Sequence, residues 1–148
     1  CKSFESFFDN VKIFTGDQVD RNFWQEVKLV LPKIDILIDD GGHSSHQQII
    51  TFEEMYPHMS ENGVYLCEDT HTSYWKEFGG GIENPNSFIE YTKTFIDKLH
   101  SHHIREEDRK DIEFRHTTNS VHYYDSIVVI EKRLDRNPPI ATMNGQFS

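Results

Sequence analysis

The sequence Ile-Asp-Ile-Leu-Ile-Asp-Asp-Gly-Gly-His-Ser-Ser-His occupies residues 34–46. Its first five residues are nearly all apolar and rich in β-branched side chains, the pattern of a parallel strand that is central in its sheet and covered on both faces. Asp39, Asp40 and His43 follow at once, around a glycine pair. Since packing does not require charged groups there, the stretch predicts a strand that delivers them to one edge of a sheet.

The composition narrows the class of protein. With 148 residues, of which 36% are hydrophobic, the chain is long enough for one domain with a core. Its formal net charge of -10 repels phosphate backbones, which argues against nucleic acid as a partner. The only cysteines, Cys1 and Cys67, are too few for a disulfide framework, and no apolar run is long enough to span a membrane. These features predict a reducing, cytoplasmic setting.

Strand and helix patterns alternate along the first half of the chain. Residues 11–15 are predicted to form a strand, and Asp20 is expected to cap a helix that Pro32 ends. After residues 34–38, Ser44 and Ser45 each have a glutamine three residues on, so either can start a second helix with a capping box.

Residues 64–67 are predicted to form the next strand, after a turn at Asn62 and Gly63. This alternation predicts an α/β fold with a mostly parallel sheet and helices on both faces. Residues 70–86 lack periodicity and are interpreted as a mobile loop that forms a lid or substrate wall. The helix that follows is expected to start at Asn84-Pro85 or Asn86. Buried positions on that helix are expected at Phe88, Ile89, Phe95, Ile96 and Leu99.

The last part of the chain is predicted to contain an antiparallel hairpin. Its strands are expected at residues 112–117 and 121–131, joined by residues 118–120. Residues 135–148 have no apolar periodicity and are expected to be a loosely ordered tail. The domain is therefore predicted to end at residue 134.

Four carboxylates are predicted at one rim of the sheet. Asp39 and Asp40 follow one strand and Glu68 and Asp69 follow the next, and parallel strands end at the same edge. Their mutual repulsion is relieved by a hard divalent ion such as Mg²⁺ or Ca²⁺, which prefers oxygen ligands. The simpler alternative is that these acids only cap the elements that follow them.

His43 lies close to the carboxylates, across the glycine turn. An imidazole that titrates near neutrality can act as a general base, and we assign that role to His43, with His71 as the second candidate. The alternative for any single histidine in this chain, which has nine, is an ordinary surface or capping residue.

Two further segments are candidates for ligand contacts. Gly16, Asp17 and Gln18 end the first predicted strand and can hydrogen-bond a purine, although a Gly-Asp pair also makes an ordinary turn. Tyr74 and Trp75 lie in the glycine-rich loop beside the rim, where they are expected to contact a ligand and not only to pack.

The combination resembles class I S-adenosylmethionine-dependent methyltransferases, specifically the metal-dependent sugar O-methyltransferases of macrolide biosynthesis. The likeness runs over residues 7–132 and depends on four motifs. They are Gly-Asp-Gln followed by Asp20, Ile-Asp-Asp-Gly-Gly-His at residues 38–43, Glu-Asp-Thr followed by residues 72–75, and Ser-Val-His-Tyr-Tyr-Asp-Ser at residues 120–126.

The resemblance implies a Rossmann-like methyltransferase fold and a role for each site residue. Asp40, Glu68 and Asp69 would bind Mg²⁺, which holds a hydroxyl of a sugar or similar polyol, and His43 would take its proton. S-adenosylmethionine would be contacted by Asp17 and Gln18 at the adenine and by Asp39 near the methionine end. Gly42 replaces the serine more usual before the histidine, and this replacement is expected to be tolerated because the side chain there is small either way.

The chain departs from the family at its beginning. The glycine-rich loop after the family's first strand and the acidic ribose-binding residue after the second have no counterpart in it. We therefore expect a partial methyltransferase domain over residues 1–134 that lacks the first strands, binds the cofactor weakly and has little activity alone. The strand edge left open would favour either self-association, as in a homo-oligomer, or disorder.

Two alternatives use the same residues. In a metal-dependent hydrolase the carboxylates and His43 would activate water instead of orienting a diol. In a non-catalytic binding module the rim would have no chemical role.

Overall fold

The computed structural model describes residues 10–105 and 112–134. In that part four strands and four α-helices are connected by loops and short 3-10 helices. The strands are β1 (Ile34–Asp39), β2 (Met59–Cys67), β3 (Thr118–Tyr124) and β4 (Ile127–Lys132), and the helices are α1 (Arg21–Val30), α2 (Ser45–Met55), α3 (Phe88–Leu99) and α4 (Ile112–Thr117). None of these helices combines the length and the apolar character needed to cross a membrane.

The strands form one mixed sheet in the order β1-β2-β4-β3. β1 pairs with β2 in parallel, whereas β4 is antiparallel to both β2 and β3. Within the described residues β1 is therefore an edge strand and not a central one. Its outward side chains Ile36 and Ile38 are 67% and 59% exposed, so the expected cover on both faces is not present there.

The core lies on the other face of the sheet, against α2, α3 and α4. Tyr65 of β2 and Ile130 of β4 are fully buried in it. Phe52 of α2 stacks on Tyr56 and meets Phe95 of α3 at a ring distance of 4.9 Å. This aromatic cluster fixes the helices on the sheet, because each buried ring removes a large apolar area from water.

The first two helices begin where the sequence predicts. Asp20 caps α1 by accepting a hydrogen bond from the Asn22 amide, and the chain turns away after Leu31, before Pro32. Ser44, not Ser45, caps α2 and forms the complete capping box with Gln47.

The prediction of a strand at residues 11–15 is wrong. That segment has no regular structure, although its β-branched residues favour a strand. Val11 and Phe14 are each 39% exposed, and no described strand pairs with them. A strand needs a partner, so propensity alone was insufficient here.

The predicted hairpin exists but is shifted along the chain. Residues 112–117 form α4 and not a strand, because Phe114 packs on the helix side of the core, 4.7 Å from the Phe95 ring. The residues 118–120 that were predicted to turn begin β3. The actual turn is at Asp125 and Ser126, and Ser126 adopts a positive φ of 63°.

Other boundaries differ by a few residues. β2 begins at Met59, and the Asn62-Gly63 pair lies in an irregularity of its pairing with β1 instead of before the strand. Ser87, not Asn84 or Asn86, caps α3. Ile96 is half exposed and not buried.

The α/β fold class is confirmed by the mixed sheet and its helices. The predicted tail at residues 135–148 and residues 106–111 lie outside the described residues, and the domain boundary at residue 134 stays a prediction.

Candidate functional site

The ends of β1 and β2 bring the predicted acidic residues to one rim. Asp39 is paired with Cys67 in register, and the Glu68 amide donates to the Asp39 carbonyl at 3.0 Å. Asp40 and Asp69 therefore leave the sheet side by side. This register places the ends of β1 and β2 at one edge of the sheet, whereas a site shared by all four carboxylates stays a prediction.

Asp40, His43 and Asp69 form a cluster that we call the acidic triad. One ligand atom from each lies within 4.8 Å of the others, and Nε2 of His43 is 3.5 Å from Oδ2 of Asp69. Asp40 is exposed and the other two are partly exposed, so the cluster is open to solvent. Two carboxylate oxygens and an imidazole suit a divalent ion that keeps water or a second ligand in its open positions.

Two members of the triad have left-handed backbones. His43 has a φ of 57° and Asp69 a φ of 51°, a conformation that few residues other than glycine adopt. Each position is estimated to cost about 1 kcal/mol or more, and such strain persists only where surrounding contacts enforce it. The backbone thus turns both side chains toward the same point.

The imidazole of His43 is held on one side only. Its Nδ1 is buried and has no hydrogen-bond partner among residues 10–105 and 112–134, while Nε2 faces Asp69. The nitrogen directed at the open cluster is therefore Nε2. A proton on Nδ1 would leave the Nε2 lone pair free for a proton or an ion.

Glu68 is not part of the acidic triad. Its backbone is anchored on both sides, since its carbonyl also accepts a 3.1 Å hydrogen bond from Nε2 of Gln48. No described contact fixes its carboxylate at the cluster, so its role as a metal ligand stays a prediction.

Asp39 is 5% exposed, whereas Asp40 is exposed. Its carboxylate accepts hydrogen bonds from Nε2 of Gln18 at 2.8 Å and from the Tyr65 hydroxyl at 3.1 Å. Burial raises the pKa of the Asp39 carboxyl, although the bonds from Tyr65 and Gln18 lower it. Both oxygens are thus used inside the protein, and a contact with a cofactor stays a prediction.

Gln18 is also fully engaged. Its Nε2 donates to Asp39 and, at 2.8 Å, to Oγ1 of Thr51, while its Oε1 accepts from the Gly42 amide at 2.9 Å. The side chain of Gln18 therefore joins the loop before α1 to the turn that carries His43. Thr51 could not have been recognised from the sequence, because nothing distinguishes it from other threonines on a helix.

Gly16 lines the groove beside Asp39, whereas Asp17 makes only a local turn. Asp17 is exposed and its carboxylate accepts a 3.1 Å bond from the Val19 amide, which is an ordinary local turn. Gly16, Gln18 and Asp39 line one groove of about 480 Å³, together with Phe14 and Trp24.

The glycine pair is more crowded than the sequence suggests. A Cβ atom at Gly42 would lie 2.3 Å from the amide of Gln47, the residue that completes the capping box of α2. A side chain at this position would therefore require Gln47 to move, and the expectation that glycine is tolerated in place of serine stays a prediction.

The segment after Asp69 is ordered by its own hydrogen bonds. It forms the short 3-10 helices Thr70–Tyr74 and Lys76–Phe78, and the Gly81 amide closes back on the Ser73 carbonyl at 2.8 Å. Gly80 packs so closely on Ser73 that a Cβ would lie 2.3 Å from its carbonyl oxygen. The segment thus has short 3-10 helices that the sequence did not predict, and its mobility and its role as a lid or substrate wall stay predictions.

Within that segment His71 links the triad to the hairpin. Its Nδ1 is 2.6 Å from Oγ of Ser126 and 3.8 Å from Oδ1 of Asp69, and its ring meets Trp75 edge-on at 4.7 Å. His71 and Tyr74 line a second groove of about 370 Å³. Trp75 contacts His71 but is not among the residues that line this groove.

Ser126 was not predicted to be a site residue, although it is the last residue of the motif at residues 120–126. Thr72 was also missed. Its hydroxyl lies 2.7 Å from the His43 carbonyl and 2.9 Å from the Asp69 carbonyl. The one signal in the sequence was its place three residues after Asp69, where a threonine can bond back to the backbone.

The sheet order and the acidic triad describe an α/β domain with a candidate metal site at one rim of its sheet. Comparison with models of protein families gives no match. The chain is 29% identical over 125 residues to an 8-demethyl-8-alpha-L-rhamnosyl tetracenomycin-C 2'-O-methyltransferase of Streptomyces olivaceus, covering 83% of this chain and 33% of that protein. It is 30% identical over 122 residues to a demethylmacrocin O-methyltransferase of Streptomyces fradiae, covering 79% of this chain and 31% of that one.

The solved structures agree with these relatives. MycE methyltransferase from the mycinamycin biosynthetic pathway, in complex with Mg and SAH, superposes with a TM-score of 0.79 at 26% identity. The match covers 92% of this chain and 36% of MycE. A second MycE structure, which also contains mycinamycin VI, gives a TM-score of 0.74 at 27% identity.

The chain is therefore a homologue of part of the sugar O-methyltransferases and has their fold. It spans about one third of the length of the curated relatives that it matches.

Proposed function

We propose that this chain forms the acceptor and metal side of an S-adenosylmethionine-dependent O-methyltransferase that acts on a hydroxyl of a sugar or similar diol. The observation that carries the proposal is the convergence of Asp40, His43 and Asp69 within 4.8 Å at the ends of two parallel strands. The methyltransferase relatives and the Mg and SAH of the MycE complexes support it.

Asp40 and Asp69 would hold the divalent ion, and Glu68 is proposed as a third carboxylate beside them. The donor set fits, because hard oxygen ligands and an open side are what Mg²⁺ requires. When bound, such an ion lowers the pKa of a coordinated hydroxyl and orients it. Asp39, turned into the protein, is not proposed as a ligand of the ion.

His43 is proposed as the general base. Its Nε2 is the nitrogen that faces the cluster, so it is the atom that would receive the hydroxyl proton. Asp69, 3.5 Å away, would stabilise the imidazolium that forms. Removal of the proton in place makes the acceptor oxygen a nucleophile for a methyl group held in line.

The cofactor side is proposed at Gly16, Asp17, Gln18 and Asp39. The groove that three of them line has aromatic and apolar walls from Phe14, Phe23 and Trp24, which suit a flat purine ring. Because the amide of Gln18 is fully hydrogen-bonded within the protein, any contact from Gln18 to an adenine would compete with its present bonds.

The acceptor is proposed to lie along the second groove, between the acidic triad and the hairpin. His71, Tyr74 and Tyr124 offer hydrogen bonds and ring faces there, and the Trp75 ring contacts His71 edge-on. The groove's cation, Lys93, is paired with Glu90, so its charge is largely balanced. A neutral polyol or glycoside suits these walls better than an anionic acceptor does.

The remaining proposals concern the setting. The net charge of -10 disfavours nucleic acid, and the free, buried Cys67 suits a reducing cytoplasm. The exposed side chains of β1 and its unpaired edge among the described residues support self-association, so a homo-oligomer is proposed.

Methyl transfer is the direct test. A protein that contains this chain is incubated with S-adenosylmethionine, Mg²⁺ and an alkyl rhamnoside, and the methylated product is measured by mass spectrometry. His43→Ala and Asp69→Asn are expected to abolish turnover. His46→Ala is the matched control, because His46 is an exposed residue of α2 outside the triad and should leave turnover unchanged.

Calorimetry with S-adenosylhomocysteine separates the alternatives. Retained Mg²⁺ binding without any cofactor binding would overturn the proposal in favour of metal-dependent hydrolysis. Full biological activity of the His43→Ala, Asp40→Asn double variant would instead show that the rim is not catalytic and that the protein is a binding module.

A further inference from the structure

Thr72 joins the two left-handed residues of the acidic triad. Its side chain is 2% exposed, and its hydroxyl is 2.7 Å from the His43 carbonyl and 2.9 Å from the Asp69 carbonyl. A hydroxyl has one hydrogen, so the two carbonyls share it in a three-centre bond. The contact to His43 spans 29 positions of the chain, from the turn after β1 to the 3-10 helix after β2.

The hydroxyl is placed where the backbone needs support. His43 and Asp69 both hold positive φ angles, which non-glycine residues leave unless other contacts maintain them. The Thr72 amide also donates to the Asp69 carbonyl, at 3.1 Å, so Asp69 is fixed within its own turn. For His43, whose carbonyl lies on a different loop, the Thr72 hydroxyl provides the link.

We propose that Thr72 is a positioning residue that sets the separation of His43 and Asp69. The inference deepens the proposed function, since the pair that Thr72 aligns is the proposed base and metal ligand. Without the hydroxyl, His43 can relax from its left-handed backbone, and its Nε2 then leaves the position 3.5 Å from Oδ2 of Asp69. The carboxylates would then bind an ion less tightly, because part of the binding free energy would be used to order the loop that carries His43.

A merely structural role would have different consequences. A buried threonine can stabilise a protein through its methyl group and its hydrogen bond without influencing any distant group. Thr72→Val keeps the shape and removes the hydroxyl, whereas Thr72→Ser removes the methyl group and keeps the hydroxyl. Thr92→Val is a control, because Thr92 is fully buried and its hydroxyl bonds the Ile89 carbonyl and the Tyr123 side chain but no member of the acidic triad.

The experiment uses the 148-residue chain and two readouts. Nuclear Overhauser spectra report the left-handed backbone, since the amide and α protons of one residue come unusually close at positive φ. Wild type should show this strong cross-peak at His43 and at Asp69. Calorimetric titration with Mg²⁺ alone reports the alignment of the ligands, and urea unfolding confirms that each variant is folded.

We expect Thr72→Val to lose the cross-peak at His43 and to bind Mg²⁺ about tenfold more weakly. Thr72→Ser should keep the cross-peak and restore most of the affinity, and Thr92→Val should lower stability only. A Thr72→Val variant that keeps both the cross-peak and the affinity overturns the proposal. So does a Thr72→Ser variant as defective as Thr72→Val.

The wild-type chain provides a measurement that does not depend on folding of the variants. The proposal requires the Thr72 hydroxyl proton to exchange slowly with water, and rapid exchange would overturn it. Failure of the proposed function is distinguishable from this failure. If the wild-type chain does not bind Mg²⁺, the proposed metal site is refuted. The cross-peaks and the hydroxyl exchange would still report whether Thr72 holds His43.

Discussion

Nε2 of Gln18 donates a 2.8 Å hydrogen bond to Oδ1 of Asp39, across 21 positions of the chain. The same nitrogen donates to Thr51, and Oε1 accepts from the Gly42 amide. One side chain thus connects the loop before α1, the end of β1, the turn before His43 and the helix α2. The residue that the resemblance assigns to adenine is, in this structure, a structural brace of the site.

Gln18→Leu is expected to lower the free energy of unfolding by about 2–3 kcal/mol, because it leaves the buried polar groups of Asp39 and Thr51 without their donor. The measurement is urea denaturation. Gln25→Leu is the control, because Gln25 is exposed and makes one 2.9 Å bond to Glu54. Equal effects of the two substitutions would contradict the bracing role of Gln18.

Sequence reasoning succeeded where the signal is local. The apolar run of β1, the acids that follow it and the capping box of Ser44 and Gln47 all depend on neighbouring residues, and the structure has each of them. The convergence of Asp40 and Asp69 also followed, because parallel strands end at one edge.

Sequence reasoning failed where long-range packing decides. Residues 112–117 alternate apolar and polar side chains as a strand does. They are nevertheless helical, because the helix packs Phe114 into the aromatic core. The contacts of Thr72 and Gln18 join segments 29 and 21 positions apart. Periodicity carries no information on such pairs, so the braces of the site could be found only in the structure.

Gly42→Ser is expected to destabilise the chain by about 1 kcal/mol, the cost of losing a helix cap. The new Cβ would occupy space now held by the Gln47 amide, at 2.3 Å, and Gln47 would have to leave Ser44. Thermal or urea unfolding measures the change.

A double-mutant cycle identifies the cause. Ser44→Ala removes the cap directly, so adding Gly42→Ser to it should cost little more if both act through the capping box. Fully additive effects would show that Gly42→Ser acts elsewhere, for example on the Gln18 contact to the Gly42 amide.

Glu54 is expected to give the docking of α1 on α2 a pH dependence. Its carboxylate, with a side chain 10% exposed, accepts from Lys28 at 2.7 Å and from Arg21 at 2.6 Å. The hydrogen bond from Lys28 is the main cause that lowers the pKa of Glu54, with Arg21 adding to it against burial. Glu54→Gln should cost about 1 kcal/mol near neutral pH.

The sign of this dependence follows from the direction of the pKa shift. A carboxyl whose pKa is lowered in the folded state stabilises it above the unfolded value of 4.5, and that contribution is lost as the pH falls below 4.5. The difference between wild type and Glu54→Gln should therefore vanish in acid. Glu53→Gln is the control, since Glu53 is more exposed and pairs with Arg21. A difference that grows on acidification would contradict the assignment.

The metal site makes the sharpest prediction about carboxylates. Asp40→Asn and Asp69→Asn each remove a charged ligand from the acidic triad. Each should weaken Mg²⁺ binding to the 148-residue chain at least about tenfold, since even the loss of a residue that only supports a ligand has an effect of about that size. Asp39→Asn should leave Mg²⁺ binding nearly unchanged, because Asp39 faces Gln18 and Tyr65 inside the protein.

Glu68→Gln tests whether a third carboxylate joins the ion. Glu68 follows β2 directly and neighbours Asp69, so rotation of its side chain would bring a third oxygen to the cluster, and we expect the substitution to weaken Mg²⁺ binding as well. Calorimetry on the four variants orders these contributions. If Glu68→Gln matches Asp39→Asn instead of Asp69→Asn, Asp40 and Asp69 hold the ion with water and without Glu68, which contradicts the proposal of a third carboxylate.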